Sequence, residues 1–338
     1  MRLVAAILAL GIATTVVPVA AKDRGCRDDN GAERCAPEAL RRQEKAYGVE
    51  AIDALGARGA QVIRAFFVDG YGRDVGLVSF VRGPASEPRV EWMQPLAGPA
   101  DDPRVRLSSV VPLATWEDLQ ADGEVFDRPL APEPASAELS ICLHGWVVRV
   151  ETVDAGGKSH ASVESTCVSG LVARYGFRIA KAAVAALPSC ALLDPERTRN
   201  DVTRLADCTL LTGDRAAAAQ AYNVFRTPWF ASPGGPDFAR PLLYLFHDRA
   251  ELSWPGQPAV TGWEAASRVW AEQAAKAHFL VARIYGETPD RVRIEGTILP
   301  EDSSDPRAVG IPATLIWTRE NGFGFRLRSL TSGAPASS

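Results

Sequence analysis

The residues best suited to chemistry are six cysteines, Cys26, Cys35, Cys142, Cys167, Cys190 and Cys208. Zinc would need closely spaced Cys or His pairs, and neither a C-x-x-C nor a neighbouring His pair occurs, so no metal is expected. An even count points instead to a disulfide framework, whose connectivity spacing alone leaves open. Pairing between sequence neighbours is expected. Cys26 and Cys35 flank the turn-rich segment RDDNGAER, and Cys142 and Cys167 lie in strand-like runs around Asp154-Ala155-Gly156-Gly157. Cys190 and Cys208 meet only if the chain before the following helix doubles back. Other chemical signatures are absent or incomplete. G-x-S-x-G, S-x-x-K and H-E-x-x-H do not occur, Gly70-Tyr71-Gly72-Arg73-Asp74-Val75-Gly76 has the wrong spacing for a dinucleotide loop, and Gly157-Lys158-Ser159 lacks the first glycine of a phosphate loop. No cofactor is implied.

Disulfides need an oxidising compartment, and the first residues supply the address. Arg2 gives a positive n-region, Leu3 to Val17 an apolar run, and Val19-Ala20-Ala21 a small-residue cleavage site. Residues 1–21 read as a signal peptide and Lys22 as the mature start. The run is shorter than the roughly 17 to 25 residues of a spanning helix, and no later segment is apolar enough to span. Asp23-Arg24-Gly25 before Cys26 is charged where a lipid-attachment motif would be small and apolar. A soluble periplasmic or extracellular product is expected.

The chain carries 37 Lys and Arg against 41 Asp and Glu, a net charge of -4, which becomes -5 once Arg2 leaves with the leader. That balance argues against a nucleic-acid surface. Hydrophobic content of 46% and charged content of 23% fit packed globular domains rather than disorder. Without 21 of its 338 residues the chain is long enough for two domains of ~150 residues.

The elements that must hold these residues read as α+β. A helix is expected over Glu38 to Leu55 with Gly56 as its stop, then an antiparallel meander of Gln61 to Val68, Val75 to Val81 and Arg89 to Met93. Asp127 to Pro134 reads as a linker. Leu139 to Val150 and Ser159 to Cys167 alternate as strands, and Leu171 to Leu187 is Ala-rich and helical. Further on, Asp194-Pro195 opens a helix stopped by Gly213, Asp214 caps a second helix over Arg215 to Phe225, and Leu242 to Trp254 reads as a strand. Thr261-Gly262-Trp263-Glu264 forms a capping box for a helix presenting Trp263, Ala266 and Trp270 on one face. Four strands follow, His278 to Tyr285, Arg291 to Leu299, Ile311 to Thr318 and Phe323 to Leu330, with Asn321-Gly322 as a hairpin turn.

The order helix, helix, strand, helix, four strands over Pro195 to Leu330 resembles the nuclear transport factor two-like (SnoaL-like) fold. The stretch AELSWPGQPAVTGWEAASRVWAEQ is similar to that family's first strand, turn and third helix, and ENGFGFRLRSL to its final hairpin. The resemblance covers about 135 residues and implies a curved antiparallel sheet wrapped on helices as a cone. The expected layout is therefore a signal peptide (1–21), an N-terminal α+β domain matched to no family (22–188), a nuclear transport factor two-like domain (189–330) and a disordered tail (331–338).

The resemblance also implies where chemistry would lie, in an Asp/His pair inside the cone. The candidates are Asp248, His247 and His278. Consecutive strand residues face opposite ways, so His247 and Asp248 cannot share a pocket without a bulge; if Tyr244, Phe246, Leu252 and Trp254 face the core, Asp248 does too. Tyr244, Trp254, Trp270 and Trp317 are candidates for lining a pocket for a small apolar ligand, the alternative being that they fill the core. With no complete catalytic constellation, binding or envelope-associated scaffolding is expected, through a small apolar ligand or an envelope protein. The alternative is a SnoaL-like isomerase or dehydratase. Members of the family pair through their sheet faces, which makes a homodimer possible.

Overall fold

The computed structural model describes residues 37–70, 72–95, 104–123, 145–165, 170–197, 200–230, 245–300, 310–319 and 324–333. The leader, the Asp127–Pro134 linker, Cys26, Cys35, Cys142, Cys167, Tyr244, the Asn321-Gly322 turn and residues 334–338 lie outside them; Thr331 and Ser332, expected in a disordered tail, instead extend the last strand, where they pair with Thr314 and Ala313.

The first half builds a six-stranded sheet from β1 (Gln61–Asp69), β2 (Asp74–Arg82), β3 (Arg89–Pro95), β4 (Arg104–Val110), β5 (Trp146–Val153) and β6 (Ser159–Ser165). Their order is β4-β3-β2-β1-β5-β6, antiparallel throughout. Alternation sends the two faces to different partners. Ile63, Ala65, Phe67, Val78, Phe80, Val148 and Val150 pack on the side of α3 (Leu113–Gly123) and α4 (Leu171–Ala186). Phe66, Leu77 and Met93 meet Tyr47 of α1 (Pro37–Tyr47), while Val62 and Val153 meet Ile52 of α2 (Ile52–Ala57). A side chain at Gly76 would collide with the Trp92 ring, so this glycine makes room for the largest residue of the face.

The single helix expected over Glu38 to Leu55 is two. It breaks at Gly48, whose φ of 60° is left-handed, and Gly56 lies inside α2 rather than ending a helix. Strand β4 and helix α3 have no counterpart in the sequence reading.

The second half has a seven-stranded sheet, ordered β7-β10-β11-β12-β13-β8-β9, with neither sheet closed into a barrel. Its strands are β7 (Leu211–Gly213), β8 (Phe246–Ser253), β9 (Val260–Thr261), β10 (Ala277–Thr288), β11 (Arg291–Pro300), β12 (Ile311–Thr318) and β13 (Arg326–Ser332). The four closing strands form the expected antiparallel meander, and β13 then pairs in parallel with β8. The helices are α5 (Pro188–Ala191), α6 (Asp201–Thr209), α7 (Arg215–Phe230) and α8 (Trp263–Gln273).

Two helix starts differ from expectation. Asp194-Pro195 opens only a short 3-10 turn, and α6 begins later, where the Asn200 side chain accepts from Thr203 N at 2.8 Å. The Thr261 capping box does not form: Thr261 pairs with Glu251 in β9, and Gly262, at φ 93°, takes the cap position without a side-chain bond. Asp214 does cap α7, accepting from Ala217 N at 3.0 Å.

The expected boundary after Pro188 falls where α5 starts, and burial is continuous across it. One hydrophobic cluster runs from β1 and α4 through α6 to β10–β13. The chain doubles back between α5 and α6, which brings Cys190 and Cys208 together in a disulfide with Cα atoms 4.9 Å apart and both residues fully buried.

Candidate functional site

The inner face of the second sheet follows from alternation in β10 to β13. Val292, Ile294, Leu315, Trp317, Leu327 and Leu330 all point inward and are buried. Helix α7 lies against β10 and β11, with the Phe225 ring edge-on to Trp317 at 6.2 Å and to Phe279 at 5.6 Å. At the other end α8 presents Trp270 to β8, edge-on to Phe246 at 5.8 Å and to Trp254 at 5.9 Å. Trp270 and Trp317 are 0% exposed and Trp254 5%. These three candidates for lining a pocket pack against core residues.

Strand β8 departs from the alternation used to orient Asp248. Its ladder with β13 slips between the Phe246–Leu327 and Glu251–Ser329 pairs, leaving His247 to Arg249 in an irregular stretch. Asp248 is therefore exposed rather than on the core face, and His247 is the buried one. The imidazole turns back on its own strand, with Nδ1 accepting from Arg249 N at 2.9 Å. His278 opens β10, opposite Leu299 of β11. Asp248 and His247 thus share no pocket.

A cluster that the sequence reading missed lies between α6 and α7. Asp207 Oδ2 accepts from Arg226 Nη1 at 2.5 Å, and the Tyr222 hydroxyl donates to Asp207 Oδ1 at 3.2 Å. Burial pushes the Asp207 carboxyl up to about 6, although Arg226 and the Tyr222 hydrogen bond pull it down. Burial likewise holds the Tyr222 phenol above its ordinary value. The signal was present in the spacing, since Tyr222 and Arg226 stand four apart on α7 and so face the preceding helix together. Chemically this is a buried acid that could exchange a proton near neutrality.

The second missed cluster crosses the first sheet under α1. Register places Arg64 opposite Glu151 and Phe66 opposite Arg149. Glu151 bridges both guanidinium groups, Glu44 of α1 adds a contact to Arg149 at 2.7 Å, and Arg64 Nη1 donates to Glu50 O at 2.8 Å. Both cations lie over the Phe66 ring. Arg64 and Glu151 are each 1% exposed. Two cations and two carboxylates balance, which is how charges are tolerated inside a fold. Among the described residues no group of three or more His, Cys, Asp or Glu is placed to hold a metal ion, and no helix is long and apolar enough to cross a membrane.

No family model matches the chain, and no curated protein matches it. Solved structures to which it is similar include nuclear transport factor two-like and SnoaL-like proteins. One is an NTF-2 like protein of unknown function from Shewanella oneidensis MR-1, at 11% identity, a TM-score of 0.27, and coverage of 34% of this chain and 96% of the other. Another is a putative NTF2-like dehydratase from Streptomyces avermitilis, at 20% identity and a TM-score of 0.27, covering 35% of this chain and 95% of the other. A third, a putative SnoaL-like polyketide cyclase from Jannaschia sp. CCS1, has 12% identity, a TM-score of 0.24, and coverage of 33% and 83%. Likenesses of this size say nothing of activity.

Proposed function

We propose that the chain is an exported protein acting by binding or envelope-associated scaffolding, with no catalytic role for its C-terminal half. The observation behind this reading is that Trp270 and Trp317 are fully buried in the aromatic packing of the second sheet, where the alternative function would need a ligand-sized cavity. Export is supported by the tripartite leader and by the buried Cys190–Cys208 disulfide, a bond that persists in oxidising compartments.

Fractionation of the host with N-terminal sequencing tests the first part: a mature chain starting at Lys22 outside the cytoplasm is expected, and a full-length cytoplasmic chain contradicts it. Screening the purified protein against isomerase and dehydratase substrates tests the second, with no turnover expected.

The second reading, a proton-transfer enzyme, draws on Asp207. Among the described residues it is the carboxylate raised toward neutrality, and it is hydrogen-bonded to a tyrosine and an arginine. Turnover that vanishes in Asp207→Asn while the fold survives would establish that reading in place of the first.

A further inference from the structure

Strand β4 is an outer edge of the first sheet, and its register shows which backbone groups face outward. Val111 N donates to Pro88 O at 2.9 Å and the β3–β4 ladder runs without a slip, so alternate residues from Val105 to Val111 turn their peptide groups toward β3. Arg104, Arg106, Ser108 and Val110 therefore turn theirs to the open side. Ser109 donates its hydroxyl to Val110 O at 3.2 Å; the other outward N–H and C=O groups of Arg106, Ser108 and Val110 have no partner among the described residues. An edge in this state is a template for another strand. The second sheet keeps its edge strands short, with three residues in β7 and two in β9, whereas β4 runs seven residues with neither a proline nor a bulge.

At the end of this edge lies an open cleft of about 660 Å³. Pro84 and Pro88 of the β2–β3 turn line one side and Val110, Pro112 and Leu113 the other, with Arg82 and Glu87 also in the lining. Val110 is 50% and Leu113 46% exposed, so the apolar surface is reachable from solvent. Exposed apolar side chains gathered in one place mark contact surfaces, where single ones do not. The edge also has a sign of charge. From Arg104 to Trp116 the chain carries two arginines and no carboxylate, and Arg104 and Arg106 hold successive outward positions of the strand.

We infer that β4 is a docking edge for an extended segment of a partner protein, which adds a seventh strand to the first sheet. The unpaired peptide groups call for a polypeptide in the β conformation, since only its backbone offers donors and acceptors at the spacing of the edge. The cleft calls for an apolar side chain beside Val110. The two arginine positions call for acidic residues farther along the same segment. The inference gives the binding reading proposed above a place on the chain, and failure of the edge would leave export and the absence of turnover standing.

The test is calorimetry and amide hydrogen exchange on the mature chain with the peptide Ac-LVTVEVET-NH2. In antiparallel register it sets its leucine beside Val110 and its glutamates beside Arg106 and Arg104. Binding is expected, with exchange slowed at Ser108 and Val110. The lysine peptide Ac-LVTVKVKT-NH2 should bind ~5-fold or more weakly, the scale of two cross-strand charge pairs reversed. The acidic peptide with its backbone N-methylated at alternate residues, in either phase, should lose binding in one phase, the one that blocks pairing. Ser108→Pro removes one outward N–H and spares the ladder to β3, so it should abolish binding. Leu113→Ser, at an exposed position of the cleft, should weaken binding about threefold or more. Equal binding of the acidic and lysine peptides, full binding of both N-methylated peptides, no binding of the acidic peptide, or binding indifferent to both substitutions would each overturn the inference. A dimer of the mature chain that Ser108→Pro dissociates would assign the edge to a second copy and overturn it as well. Unchanged circular dichroism and thermal melts of the two variants separate loss of the edge from loss of the fold.

Discussion

Trp92 of β3 donates its indole N–H to the hydroxyl of Thr209 at the end of α6, 2.7 Å away and buried. The same hydroxyl donates to Leu205 O at 2.7 Å, so both its roles are filled. This bond joins the first sheet to the helix pair of the second half. Thr209→Val keeps the shape and removes the acceptor, leaving a buried indole donor unpaired. A loss of about 1–3 kcal/mol is expected, read by urea denaturation, while Thr209→Ser should stay close to the parent. Because one cluster spans both halves, the tryptophan fluorescence and circular dichroism transitions should coincide.

The Cys190–Cys208 disulfide closes a loop with a sequence separation of 18. Its removal by the double substitution to alanine should cost about 3 kcal/mol, mainly by freeing the unfolded chain. Both sulfurs are buried, so reductant alone should leave the native protein intact and act only where it opens. Thiol labelling under native conditions checks this; rapid labelling of Cys190 or Cys208 in the folded protein would contradict it.

Glu151 holds two buried arginines at once. Glu151→Gln leaves Arg64 and Arg149 with Glu44 as the remaining carboxylate of the cluster, and an uncompensated buried charge typically costs about 3–5 kcal/mol. Substituting Glu44, at the edge of the cluster on α1, should cost less because water can reach that side. Thermal melts of the two variants rank them, and a milder effect for Glu151 would show that the cations find other partners.

Much of this arrangement was legible in the residues, and the misses share causes. The closing meander read correctly because Val292, Ile294 and Ile298 alternate with charged neighbours, a two-residue period that survives any tertiary context. The Cys190–Cys208 pair could be expected because a chain reversal was the condition for it. Strand β4 was hidden by Pro103 just before it and by the polar residues of RVRLSSV, which as an edge strand it can afford to carry. Asp248 was misplaced because alternation assumes an unbroken ladder, and the slip beside Phe246 is set by pairing with β13, some eighty residues away. Asp207 escaped notice because its partners come from the next helix, and only the packed hairpin brings them within reach.

Asp207 gives the fold a pH dependence of unusual sign. Its carboxyl titrates near 6 in the folded chain against 3.8 ordinarily, so the folded state binds the proton more tightly than the unfolded one. The stability it contributes is fully present below 3.8 and is lost as pH rises through about 6. At about 1.4 kcal/mol for each pH unit, the change amounts to ~3 kcal/mol. Urea midpoints of the parent and Asp207→Asn should therefore diverge between pH 4 and pH 7, with the parent falling relative to the variant. A parent that gains on the variant over that range would mean that the Arg226 pair outweighs desolvation, and that Asp207 is an ordinary ionised partner rather than an acid held near neutrality.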